Sequence, residues 1–185
     1  MLSSEPVVID FEGFKYKQEE FIIKELSVCG ESIDSIVFLP PVPYNNLSTK
    51  EQKAHTWVTQ HLHGIPWSSG KYPYQYLSQI LRSFSQRYPL SEFFAKGEEK
   101  ASVLAKYLEK PVENLDSLGC PKVENLRGTV GCCDNHYLTN CKHNHCSRRK
   151  AVLYHNWLTK YYGISENAGS TDSFITMFDA LYLEN

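Results

Sequence analysis

The sequence predicts an α/β fold in which a mixed sheet is flanked by helices. Two observations carry that expectation. Three β-rich segments open the chain in quick succession, and helical and extended patterns alternate after them. A third, a knot of cysteines and histidines ahead of the last long helix, adds a structural zinc site.

Residues 6–14 (PVVIDFEGF), 20–29 (EFIIKELSVC) and 34–39 (DSIVFL) read as strands, rich in β-branched and aromatic residues. The polar or Gly-containing breaks between them are short enough for antiparallel connections. Pro40, Pro41 and Pro43 end the third strand. Residues 40–73, with their Pro, Asn, Gly and Ser, read as a long connection of the kind that often carries function. Leu77, Ile80, Leu81 and Phe84 then fall on one helical face, which predicts a helix over 74–87 closed by Pro89.

Residues 91–97 read as a short strand, and 98–109 as a helix with Ala101, Leu104, Ala105 and Leu108 on one face. Glu98 and Glu99 in its first turn and Lys106 and Lys110 near its end suit the helix dipole. A short strand is expected at 111–116. The next helix, 147–162, aligns Ala151, Tyr154, Leu158 and Tyr161 and stops at Gly163. A last short helix is expected at 171–183. An antiparallel opening followed by alternating elements gives a mixed sheet with helices on its faces.

The 185 residues read as one domain, 1–185. A net charge of -2 supplies no global basic field, so any nucleic-acid contact must come from a local patch. The N-terminus lacks the basic region of a signal peptide, and no apolar run approaches the ~18 residues of a membrane helix. The expected setting is intracellular, in cytoplasm or nucleus, with no membrane partner.

An intracellular chain keeps its thiols reduced. Cys132, Cys133, Cys141 and Cys146 nevertheless crowd one segment, interleaved with His136, His143 and His145. Disulfides have no use for histidine, whereas zinc does. Cys133 and His136 can be placed by one tight turn, and Cys146 sits at a helix N-terminus, where the dipole favours a thiolate. The fourth ligand must come from elsewhere. His61 and His63 are the remote donors; Cys141, His143 and His145 are the local ones.

Two further groups carry chemistry. Asp10 and Glu12, two apart on a strand, share a face and could hold divalent cations between them. Arg148, Arg149 and Lys150 occupy the first turn of the 147–162 helix, where cations oppose the dipole. That mismatch suggests an anionic partner such as a phosphate backbone.

A first strand carrying Asp10-Phe11-Glu12, two antiparallel strands and then alternating elements resembles the ribonuclease H-like fold of the DEDD exonucleases. Later segments resemble one divergent branch, the Maelstrom domain of germline transposon-silencing proteins. The stretches that carry this are Gln60-His61-Leu62-His63-Gly64-Ile65-Pro66, Asn114-Leu115-Asp116-Ser117-Leu118-Gly119-Cys120-Pro121, and the Cys133-His136-Cys146 spacing before a helix. The resemblance implies a zinc bound by a Glu, two Cys and a His. By position His61 stands where the family has its Glu, so the implied set is His61, Cys133, His136 and Cys146.

The resemblance also implies that Asp10 and Glu12 descend from a catalytic Mg2+ or Mn2+ pair, with Glu99 the nearest stand-in for an acid of the second helix. The chain departs from the exonuclease pattern in three places. Cys146 stands where the last Asp belongs, Cys141 where the general base belongs, and Lys100 beside Glu99 would repel a cation. The implied function is binding of single-stranded RNA, with or without its cleavage, in piRNA-type small-RNA gene silencing. The rivals are a protein-interaction scaffold that kept the fold and lost the acids, and an active divalent-metal 3'-5' exonuclease.

Overall fold

The computed structural model describes residues 5–17, 20–136 and 143–163. Its centre is a five-stranded mixed sheet in the order β3-β2-β1-β4-β5. β1 (Val7–Tyr16), β2 (Glu20–Cys29) and β3 (Ile33–Val37) run antiparallel to one another. β4 (Phe93–Ala95) and β5 (Val112–Asn114) add on the other side of β1, parallel to it and to each other. The two parallel strands are shorter than their sequence segments suggest, because the ladder pairs only three residues of each.

Strand alternation sorts β1 between two faces. Val7, Ile9 and Phe11 join the main core with α2 (Leu77–Arg87) and α3 (Glu98–Leu108), which contribute Ile80, Leu81, Phe84, Ala101 and Leu104. Val8 packs on the opposite side against Leu153, Tyr154 and Leu158 of α4 (Ser147–Tyr162). Asp10 and Glu12 share that side with Val8. The antiparallel register sets Ser27 opposite Asp10 and Glu25 opposite Glu12, so a polar strip lies under the N-terminal turn of α4.

The connection after β3 holds an element that the hydrophobic pattern did not reveal. α1 (Thr49–Val58) runs into a single π-helical turn, Thr59–His63. Only His55 of α1 is buried, so no apolar stripe marks it. Its start is nonetheless legible. Ser48 and Glu51 form a reciprocal capping box, which the S-x-x-E spelling announces. Phe14, Leu47 and Trp67 form the small core beneath. The helix expected at 171–183 lies outside the described residues. Among the described residues, no helix is long and apolar enough to cross a membrane.

Candidate metal centre

Glu25, Cys133, His136 and Cys146 bring one ligand atom each to within 4.8 Å of one another, a group that could hold a metal ion. Three structural facts assemble it. β2 delivers Glu25, wholly buried, from the strand beside the central β1. Cys146 is the N-cap of α4, and its sulfur accepts the Arg149 N–H at 3.5 Å. The turn carrying Cys133 and His136 lies over both.

The distances are close. Cys146 Sγ and Cys133 Sγ are 3.7 Å apart, His136 Nε2 and Glu25 Oε1 3.3 Å, and Cys133 Sγ and Glu25 Oε1 2.8 Å. His136 donates from Nδ1 to the His63 carbonyl oxygen, which turns Nε2 inward. Such outer contacts orient ligating imidazoles in metal sites.

The electrostatics describe a site held together by shared protons. The Cys133 hydrogen bond, against burial and with help from His136, pulls the Cys146 thiol down to about 4. The same bond, with burial and Glu25, pushes the Cys133 thiol up. Burial would lower His136, but its bonds to Cys146 and Glu25 raise it to about 12. Burial would raise Glu25, but His136 and Cys133 hold it down. A cation would take the place of the protons on Cys133 and His136.

Of the four ligands expected from sequence, the structure brings together Cys133, His136 and Cys146. It places His61 elsewhere: the ring is exposed, stacks on Trp57 at 4.9 Å, and bonds the Trp57 carbonyl at 2.9 Å. The reason is local. Thr59–His63 is a helical turn rather than an extended segment, so His61 and His63 point apart. His63 is buried edge-on against Phe14, and burial lowers its ring to about 4. Its main chain, not its side chain, serves the centre. Cys141 lies outside the described residues. Glu25 was missed, although Lys24-Glu25 interrupting an otherwise apolar strand is a signal that reading could have used.

Asp10 and Glu12 share a face as expected, but they are already seated on cations. Lys100, in the first turn of α3, places its amine 2.7 Å from Asp10 Oδ1 and 2.6 Å from the Phe11 carbonyl. Lys150 of α4 reaches Asp10 Oδ2 at 2.8 Å and also bonds Glu12 Oε1. Burial would raise Glu12, but Lys150, His145 and Lys100 hold it well below the usual carboxylate range. Burial would lower Lys150, but Asp10 and Glu12 raise it above the usual range. Lys100, by contrast, is lowered, by burial first and by the Lys150 charge against the pull of Asp10.

This arrangement changes two sequence expectations. Glu99 is exposed, and its neighbour Lys100 occupies the position beside Asp10. Of the three basic residues that open α4, Lys150 turns inward and is 7 % exposed. Arg149 donates to the Val130 carbonyl at 3.1 Å and, like Arg148, is part-exposed. The placement of Lys150 against the helix dipole is explained by the carboxylates beneath it.

A cleft of about 800 Å³ opens beside Glu12. Lys15, Lys96, Lys100, Lys122 and Lys150 line it together with Phe11, Phe21, Tyr154 and His145. Lys96 is paired with Asp116, whereas Lys15 and Lys122 are exposed. No protein-family model matches the chain, and no curated protein matches it significantly.

Proposed function

We propose that this chain is a zinc-stabilised, ribonuclease H-like domain of the Maelstrom type that binds single-stranded RNA in the cleft beside Glu12. The observation that carries the reading is the cleft itself, lined by five lysines, of which Lys15 and Lys122 are exposed, and by the part-exposed ring of Phe21. Single-strand binders combine those two features, a cationic track for phosphates and rings for bases. The sheet order and polarity support the fold assignment, with β1 carrying the two acids at its centre. The small-RNA silencing role rests on resemblance alone.

Zinc is favoured as the metal by donor chemistry and spacing. Two sulfurs, one imidazole and one carboxylate are the zinc palette. Tetrahedral bonds of about 2.3 Å to sulfur and about 2.0 Å to nitrogen or oxygen set ligand pairs about 3.8 Å and about 3.3 Å apart. The sulfur pair at 3.7 Å and the His136–Glu25 pair at 3.3 Å suit that geometry. The 2.8 Å Cys133–Glu25 contact would open by about 0.7 Å. Four protein ligands leave no open position, so the role is structural.

Two-ion hydrolysis needs carboxylates free to clamp both ions. Here Lys100 and Lys150 sit on them, which supports RNA binding over a divalent-metal exonuclease. The test is a titration of fluorescent single-stranded RNA at two salt concentrations, with and without Mg2+ or Mn2+. The variants are Lys15→Ala/Lys122→Ala for the cleft and Arg148→Ala/Arg149→Ala for the start of α4. About two phosphate contacts give a salt slope near -1.4, and the cleft variant should lose it. Equal affinity for all proteins would favour the scaffold reading, and Mn2+-dependent cleavage the exonuclease.

A further inference from the structure

The two carboxylates of β1 stand among more donors than their lysines require. We propose that Asp10 and Glu12 form a divalent-cation site which the chain fills with two of its own amines, Lys100 and Lys150, and that removing those amines opens it to Mn2+. The inference is independent of the RNA reading.

Charge comes first. Asp10 is 1 % exposed and Glu12 is partly exposed beside it, and two neighbouring carboxylates on a largely buried face repel each other unless opposite charge is supplied. The two ammonium groups supply it, at 2.7 and 2.8 Å from the two oxygens of Asp10, with Lys150 bridging to Glu12. One divalent ion carries the same charge as the two amines.

Donor chemistry comes second. Without the amines, both oxygens of Asp10 and Oε1 of Glu12 lose their partner charges, and so does the Phe11 carbonyl to which Lys100 donates at 2.6 Å. His145 Nδ1 stands 3.9 Å from Glu12 Oε2, on the cleft side. Carboxylate and carbonyl oxygens with one imidazole make a shell suited to Mn2+ rather than to a thiolate-seeking ion. The adjoining cleft gives an incoming hydrated ion a path, since Glu12, Lys100, His145 and Lys150 all line it.

The two lysines come from different helices, α3 and α4, so the plug also ties these helices across β1. An ion in their place would keep the charge balance but lose that tie. The variants should therefore melt lower than the wild type and recover part of the loss in Mn2+, because an ion that binds only the folded state stabilises it.

The test uses zinc-loaded full chain, so that the Glu25 cluster is filled. Mn2+ binding is read by electron paramagnetic resonance and by melting temperature for the wild type, Lys150→Gln and Lys100→Met/Lys150→Met. The expected result is no Mn2+ effect on the wild type and at least about tenfold tighter binding by the double variant, which corresponds to 1.4 kcal/mol. Lys150→Gln, which keeps a hydrogen-bonding group at the site, should show a smaller gain. Adding Asp10→Asn to either variant should abolish it. Mn2+ binding to the wild type as tight as to the variants would overturn the proposal. So would a folded Lys150→Gln protein with no gain, or a double variant that stays unfolded in millimolar Mn2+.

Discussion

The Glu25 carboxylate accepts the backbone N–H of Ser147 at 2.8 Å, in the buried space between β2 and the first turn of α4. One oxygen thus caps the helix while the other faces Cys133 and His136. A negative group at a helix N-terminus is favourable in its own right. Ser27 and Ser147, in hydroxyl contact at 2.7 Å, fix the same turn one residue pair further along the sheet. The Glu25–Cys133–His136–Cys146 cluster and the docking of α4 are therefore one structural unit.

Glu25→Ala should remove a ligand and a helix cap at once. We expect zinc content to fall from about one ion per chain to a small fraction, with a stability loss on the order of 3 kcal/mol. His61→Ala should leave both unchanged. Elemental analysis and thermal melts of the two variants check this. Full zinc occupancy in Glu25→Ala together with metal loss in His61→Ala would return His61 to the site.

From sequence, a pair of acids on a sheet face is expected mainly to repel itself, so that removing one is mild. Lys100 and Lys150 reverse that sign. Asp10→Ala leaves two amines facing a single carboxylate in a buried site. Removing one partner of a buried pair costs on the order of 3–5 kcal/mol. Urea melts of Asp10→Ala should show a loss comparable with that of Cys133→Ser or Cys146→Ser. A change below about 1 kcal/mol would mean that the amines reach water instead.

How much of this was legible in the sequence follows from what each feature depends on. The strands and α2 to α4 declare themselves through apolar periodicity, which survives without tertiary information. α1 does not, because its packing rests on His55 rather than on a stripe; its capping box was the available sign. Cys133, His136 and Cys146 are neighbours in the chain, so spacing revealed them. Glu25 is 108 residues from Cys133, and only the β1–β2 register and the seat of α4 bring it there. The inward turn of Lys150 has the same origin, since its partners are on a strand 138 residues away.

Glu12 ties acid stability to the lysine pair. Its folded value lies below the ordinary 4.5, because Lys150, His145 and Lys100 outweigh burial. A carboxylate lowered on folding adds stability that is fully present above its unfolded value and is lost as pH falls through its folded one. We expect the stability gap between wild type and Glu12→Gln to be constant near neutrality and to narrow steadily below pH 4.5. Denaturation midpoints of both proteins from pH 6 to about 3 measure it, and the difference cancels zinc loss common to the two. A gap that widens in acid would mean that Glu12 is protonated in the folded protein at neutral pH.

Lys24 gives the opposite test on the alkaline side. The β1–β2 register skips it: Glu12 faces Glu25 and Gly13 faces Ile23, so Lys24 is the extra residue of a bulge beside the cleft. Gly13 is required there, since a Cβ would lie 1.9 Å from the Ile22 carbonyl oxygen. The bulge sends the Lys24 side chain inward, wholly buried, where its amine donates to the Phe38 carbonyl at 2.5 Å and to the Ser69 carbonyl. Burial lowers this amine to about 7 from 10.5. The unfolded chain therefore binds more protons between those values, and stability must rise with pH across that window. Below it the cost of holding the charge inside is fully present. Lys24→Met should flatten the rise, which we expect to be on the order of 2 kcal/mol in the wild type. Chemical denaturation of the zinc-loaded proteins between pH 7 and 10 reads it. Parallel stability curves for the two would show that the two carbonyls keep the Lys24 amine protonated throughout.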